Sequence, residues 1–225
     1  MLKRRALKSG PESKFLSMAL AKGLMLSDGL TQTVFRELML PTGIPDVVVV
    51  RQNGVQLDRI TLSKKLSTTH LQVLAHLYDV GQTTSEELVA ALIIPKISLE
   101  KILQGLANAN LIELRNGRVH RRSLKKVFAF DRIIAIEAKL QDWRKALAQA
   151  AANFWFASHS YVLLPPLRCL AKILKEAKKL GVGVFIFDGK TTTLVSKPKQ
   201  RSLPASYGSW LIHEWVIQRR GFRMR

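Results

Sequence analysis

One cysteine, few acids and no apolar run of membrane length define this sequence by what it leaves out. Cys169 stands alone, so neither an intrachain disulfide framework nor a Cys-ligated zinc site can be built. Asp and Glu number 16 against 36 Lys and Arg, a formal net charge of +20 over 225 residues. So lopsided a surface exceeds what an ordinary metabolic enzyme needs and implies a polyanionic partner, with nucleic acid ahead of anionic membrane. The longest unbroken apolar runs, such as Val47 to Val50 and Ile133 to Ile136, are strand-sized and fall far short of the roughly 20 residues of a membrane helix. Phe15 to Leu26 is apolar after a basic start, but Lys22 and Gly23 interrupt it and no small-residue cleavage pattern follows. An intracellular, cytoplasmic protein associated with nucleic acid is therefore expected. What is present is core material: 47% hydrophobic residues exclude general disorder and suit one domain, or one domain with a small second module.

Changes in hydrophobic period divide the chain, and no internal repeat is visible. Residues 1–26 read as a basic arm, with Gly10 and Pro11 breaking regular structure in its first half. Residues 27–62 follow as a first part of an α/β core. In it the spacing of Leu30, Val34, Phe35 and Leu38 predicts a helix over Ser27–Met39, Ile44–Arg51 a buried strand, Asn53-Gly54 a hairpin turn, and Val55–Leu62 a returning strand. Residues 63–123 change character. Helical patterns are expected at Thr68–Val80, from Thr84 with Glu87 at capping-box spacing as far as Pro95, and from about Ser98 onward. A hairpin over Leu111–His120 turns on Asn116-Gly117. Residues 124–225 return to alternation: a strand over Val127–Leu140, a helix from Asp142 to about Ala157, a strand over Ser160–Leu164, a basic helix over Leu167–Leu180 and a strand over Val182–Phe187. The last forty residues end in a basic tail of unassigned structure. The expected class is α/β, a mixed sheet flanked by helices, interrupted by the 63–123 module.

The most informative segment is Ile133-Ile-Ala-Ile-Glu137-Ala138-Lys139. Side-chain alternation on a strand would point Glu137 and Lys139 the same way. An acid and an ammonium together at the end of an apolar strand suit metal-dependent phosphodiester chemistry, the acid holding a divalent cation and the Lys serving water. The same pair on an edge strand also makes an ordinary ion pair. A hard cation needs a second carboxylate. Asp131 on the same strand would lie about 20 Å from Glu137, too far to share a metal. Asp46, after Pro45 at the start of the Val-rich strand, is the better candidate, although it also suits a turn.

These residues resemble the PD-(D/E)xK nuclease superfamily, the restriction-endonuclease-like fold. Pro45-Asp46 is similar to its proline-aspartate element, and Glu137-Ala138-Lys139 to its acid-x-lysine element. Glu37, expected on a preceding helix, and Gln149, on the helix after the lysine, match two accessory features. Asp46 and Glu137 lie ninety-one positions apart, more than the few tens usual in the family, and an inserted module accounts for most of the excess. The resemblance implies that Asp46 and Glu137, aided by the Ala138 carbonyl, ligate Mg²⁺ or Mn²⁺. It implies that Lys139 positions the attacking water, Glu37 binds metal through water or a second ion, and Gln149 orients Lys139 or contacts phosphate. The implied activity is DNA endonuclease. A non-catalytic DNA-binding or assembly protein on the same scaffold, and a structure-specific nuclease such as a junction resolvase, are the alternatives.

The 63–123 segment resembles a winged helix-turn-helix module. Its third helix would offer Lys96, Ser98, Lys101, Gln104 and Asn108 to a major groove, with Arg115 and Arg118 in the wing. Residues 60–122 nevertheless carry eight Lys or Arg and five acids, so a protein interface is the alternative to DNA contact for this module. Arg144, Lys145, Arg219 and Arg220 are further candidates for phosphate contact, and a homodimer would let one metal site per chain cut both strands. The five histidines show no metal-ligand spacing, Ser158-His159-Ser160 lacks a nucleophile elbow, and Gly181-Val-Gly183 is too short for a phosphate loop.

Overall fold

The computed structural model describes residue 6, residues 10–22, residue 24, residues 32–52 and residues 65–223, with side chains as far as residue 218. The chain forms two compact units, one of residues 1–51 with 132–204 and one of residues 52–131 with 205–225. The C-terminal residues thus group with the middle of the chain, whereas the sequence division kept all of 124–225 together.

The first unit contains α1 (Pro11–Ala21), β1 (Gln32–Arg36) and β2 (Val47–Gln52). After the interruption come β6 (Phe130–Ala138), α6 (Trp143–Ala152) with a 3₁₀ turn at Asn153–Trp155, β7 (His159–Leu164), α7 (Leu170–Leu180), β8 (Gly183–Phe187) and β9 (Thr192–Ser196). The six strands form one mixed sheet in the order β1-β2-β6-β7-β8-β9. β1 with β2 and β8 with β9 are antiparallel, while β6, β7 and β8 run parallel. Each face of the sheet is covered. Leu16 and Ala19 of α1 pack with Val47, Val49, Ile134, Ile136 and Ala138, while Ala146, Leu147 and Ala150 of α6 and Ile173 and Ala177 of α7 pack with Val162, Leu164 and Val184 on the other face. The parallel strands explain the geometry of the helices. Each crossover must carry the chain back, so α6 and α7 both begin at the edge where β6 and β7 end.

Two expectations in this unit fail. The 27–39 segment is not a helix where it is described. Gln32–Arg36 pairs residue by residue with Val47–Arg51, because Thr33, Val34 and Phe35 suit a pleated ladder beside four valines and the Leu30, Val34, Leu38 spacing only imitates a helical face. The basic arm is also shorter than expected. Gly10-Pro11 starts α1 rather than breaking it, with Pro at a position whose N–H has no helical partner and Glu12 in the first turn. The proposed turn at Asn53-Gly54 and the strand Val55–Leu62 lie outside the described residues. The unassigned C-terminal forty residues supply β9 and a helix, and β6 begins at Phe130 instead of Val127.

The second unit contains α2 (Thr68–Val80), β3 (Gln82–Thr83), α3 (Ser85–Leu92), α4 (Lys96–Asn108), β4 (Ile112–Arg115), β5 (Arg118–Arg121), α5 (Leu124–Val127) and α8 (Tyr207–Arg223). The Thr84–Glu87 capping box forms, with Glu87 N donating to Thr84 Oγ1 and Thr84 N to Glu87 Oε2. Asn116 and Gly117 both take positive φ, 51° and 69°, as a two-residue turn between twisted strands requires. β3 joins the hairpin through β5. Trp210 of α8 packs on Tyr78 and Phe128.

Candidate active site

β6 ends at the centre of the sheet, and the loops around that end supply the polar side chains. Asp46, just before β2, accepts a hydrogen bond on Oδ2 from the Ala138 N–H at 2.8 Å. This bond joins the two halves of the sequence pattern across the interruption and aligns the start of β2 with the end of β6. Glu37 sits at the other foot of the β1–β2 connection, where its N–H donates to the Asp46 carbonyl at 3.2 Å. Its φ of 49° is left-handed, a strained conformation for a residue with a side chain and one that concentrates at functional sites. Glu37 is therefore a loop residue next to Asp46 and not the helical residue the sequence suggested.

A cleft of about 710 Å³ opens at this end of the sheet, lined by Glu37, Asp46, Lys139 and Gln149 together with Glu12, Asp142 and Lys145. Four of the five residues proposed as catalytic thus share one wall of solvent. The fifth, Glu137, is 3% exposed, faces the α6 side of the sheet and accepts a 2.8 Å hydrogen bond from Asn153 Nδ2. Lys139 lies one residue past β6, so strand alternation no longer directs it. Its Nζ reaches Glu12 Oε2 of α1 at 2.9 Å. Gln149 Oε1 is buried without a hydrogen-bond partner among the described residues.

The electrostatics of this group follow from burial and like charge. Burial pushes the Glu137 carboxyl up to about 8, Asp46 adds repulsion, and Asn153 only partly offsets these effects. Asp46 is also raised, chiefly by burial, against the lowering effect of the Ala138 N–H and Lys139. For Lys139, burial alone would favour the neutral amine. The Glu12 hydrogen bond and the charges of Asp46, Glu12 and Glu137 outweigh it and hold the pKa above the usual lysine value. Lys139 is therefore an ammonium at neutral pH, suited to drawing phosphate oxygens and orienting water and unsuited to removing a proton.

These residues fit a hard divalent cation. Asp46 raises the pKa of Glu137, and Glu37 and Glu12 raise that of Asp46; carboxylates crowded in this way are relieved by a positive ion, and Mg²⁺ is held by one or two carboxylates while keeping several waters. They do not form a closed cage, since no group of three His, Cys, Asp or Glu side chains among the described residues is arranged to hold a metal.

Sequence reasoning missed Glu12 and Asn153. Pro11-Glu12 after Gly10 is a recognisable helix start, whereas nothing local marks Asn153 as the partner of Glu137. Among the other candidates, Arg144 and Lys145 are exposed at the start of α6, with the Arg144 guanidinium 4.3 Å above the Trp143 ring. In the second unit Lys96, Ser98, Lys101, Gln104, Asn108, Arg115 and Arg118 are all exposed. Gln104, Arg115 and Arg118 line a groove of about 380 Å³ between α4 and the β4–β5 hairpin. Lys96 is paired with Glu86 at 3.8 Å, and Gln104 donates to Asn108. The side chains of Arg219 and Arg220 lie outside the described residues. Among the described residues no helix is long and apolar enough to cross a membrane. In comparisons with known proteins, no family model, curated protein or solved structure matches this chain.

Proposed function

We propose that the protein is a Mg²⁺- or Mn²⁺-dependent DNA endonuclease of the restriction-endonuclease-like kind, hydrolysing phosphodiester bonds in the cleft of its sheet unit. One observation carries this reading: Glu37, Asp46, Lys139 and Gln149 line a single cleft, and Asp46 is hydrogen-bonded to the backbone of the Glu137-Ala138-Lys139 segment. Asp46 and Glu137, with the Ala138 carbonyl, would hold the ion, with Glu37 beside Asp46 as a further acid. The bound ion supplies Lewis-acid polarisation of the phosphate and a more acidic water. Lys139, kept protonated by its acidic neighbours, stabilises the charge that builds on the phosphate oxygens and fixes the attacking water. Gln149 turns an unpaired oxygen to that water or to the Lys139 amine.

The three helices and hairpin of the second unit resemble a winged helix-turn-helix, with the α4–hairpin groove as its contact surface for DNA or a protein partner. A homodimer would cut both strands. A second reading, a DNA-binding or assembly protein on the same scaffold, draws support from the Lys139–Glu12 ion pair, which engages the amine that hydrolysis needs.

Labelled linear, circular and branched DNA incubated with Mg²⁺, Mn²⁺ or EDTA separates the two. Cleavage is expected only with metal, and to fall by at least about a hundredfold in Asp46→Ala, Glu137→Ala and Lys139→Ala with gel-shift affinity retained. Tight binding with no cleavage of any substrate would favour the scaffold.

A further inference from the structure

A uniformly basic surface of the sheet unit lies outside the lining of the cleft, on α7. Its sequence, Leu170-Ala-Lys-Ile-Leu-Lys-Glu-Ala-Lys-Lys-Leu180, contains a single acid, Glu176, which pairs with Lys179 at 2.8 Å. Lys172, Lys175 and Lys179 recur at three- and four-residue spacing on the outward face, and Arg168 continues the line before the helix. At the far end Lys199 and Arg201 are exposed beside the C-terminus of α7, where Lys199 N donates to the Gly181 carbonyl and Arg201 Nη2 to the Leu180 carbonyl. Among the described residues Lys172 and Lys175 have no carboxylate within ion-pair distance.

We infer that this outward face of α7 is a contact surface for the phosphate backbone of a nucleic-acid duplex, holding the substrate while the cleft acts on it. The choice of a nucleic acid rests on the nuclease reading. The choice of surface rests on three observations.

First, the apolar face of α7 is spent. Ile173 and Ala177 are fully buried in the layer shared with α6, and Leu174 packs against it, so α7 cannot insert into a bilayer as a basic amphipathic helix on a membrane does. Second, the stripe offers no aromatic anchor of the kind that dominates protein–protein binding energy, and the one large apolar side chain exposed on α7 is Leu180 at its last position, only 37% exposed. Third, it has the right scale and position. Lys172 to Lys179 spans about 10 Å of helix, a length matching about three phosphates of one strand. The Arg168 end lies at the sheet edge where β7 ends, the same edge as the cleft at the end of β6, and Lys145 lines that cleft from the neighbouring helix α6. Lysines are point charges on flexible stems, so such a track positions a duplex without reading its sequence.

The test is fluorescence anisotropy of the full-length chain on two duplexes of unrelated sequence, in EDTA, over a range of salt. Lys172→Gln/Lys175→Gln is compared with Lys125→Gln/Lys126→Gln, which removes the same charge from another exposed pair; thermal melts verify that both variants fold. The α7 double variant is expected to lower the slope of log K against log salt by about 1.8, at about 0.9 per lost phosphate contact. It should weaken both duplexes by the same factor, with the control pair close to wild type. An unchanged slope in the α7 variant, an equal loss in the control, or a wild type that prefers polyglutamate or phosphatidylserine vesicles to duplex would each overturn the inference. Because binding is measured without metal, a failure here leaves the cleavage result standing. A failure of cleavage equally leaves the α7 result standing.

Discussion

Glu137 combines two demands that a side chain rarely meets together: it is buried among apolar neighbours, and it lies beside another acid. The sign of its pH linkage follows. Its folded pKa is raised to about 8 from 4.5, so the folded state holds a proton that the unfolded state has released. The stabilisation from this residue is complete below about 4.5 and is lost as pH rises toward 8. A cation that takes the proton's place reverses this, and Mg²⁺ or Mn²⁺ should bind more tightly as pH increases. Thermal melts are expected to show a larger metal-induced rise at pH 8.5 than at pH 5.5. Glu137→Gln should melt higher than wild type without metal at pH 8.5 and respond little to metal. A metal response independent of pH and of this substitution would remove the residue from the ion site. That Asp46 and the Glu137-Ala138-Lys139 segment meet was legible because acid-x-lysine and proline-aspartate patterns are local. The Glu12–Lys139 and Asn153–Glu137 partnerships were not, since each depends on which helix the fold lays over which end of the sheet.

At the scale of elements, legibility followed the strength of local signals. Residues 68–80 and the helix beginning after Thr84 form as read, because the Ser67 cap and the Thr84–Glu87 box are written in side chains and Gly81 ends the first helix with a positive φ of 89°. β1 was hidden because five residues are too few to reveal their period, and its pairing with the valines of β2 decides its state. β8 shows a constraint of a different kind. A Cβ on Gly183 would lie 2.4 Å from Tyr161 Cδ1 and 2.9 Å from Pro198 Cδ, and the Tyr161 ring is packed on Phe185 at 4.8 Å. Gly183→Ala should therefore destabilise the sheet unit by about 1–3 kcal/mol, read as a lowered denaturation midpoint. An unchanged midpoint would mean that Tyr161 and the 197–199 segment yield freely.

For the whole molecule, the informative fact is that the sheet unit is written in two pieces. The motif order made an interruption visible, but the return of residues 205–225 to the middle unit left no local trace; it depends on Trp210 meeting Tyr78 and Phe128. Arg51 and Arg132, the last and first residues of the two sheet pieces, belong to adjacent strands, and both act on the charge of His159. A short turn should then replace what lies between them. A chain of residues 1–51 joined through Asn-Gly to residues 132–204 is expected to melt cooperatively and to keep the metal-induced rise in melting temperature. A molten product would mean that the sheet unit depends on the rest of the chain.

The hydrogen bond from Ala138 to Asp46 also sets a timetable. A ribosome makes Asp46 and Glu37 long before Ala138, Lys139 and Gln149, and domains generally fold as units during synthesis. Until those later residues emerge, β2 lacks its inner neighbour and the cleft has only one wall. The first acids of the site therefore wait, without their lysine, through the synthesis of the intervening unit. The cleft lined by Glu37, Asp46, Lys139 and Gln149 can therefore form only after residue 149 has been made.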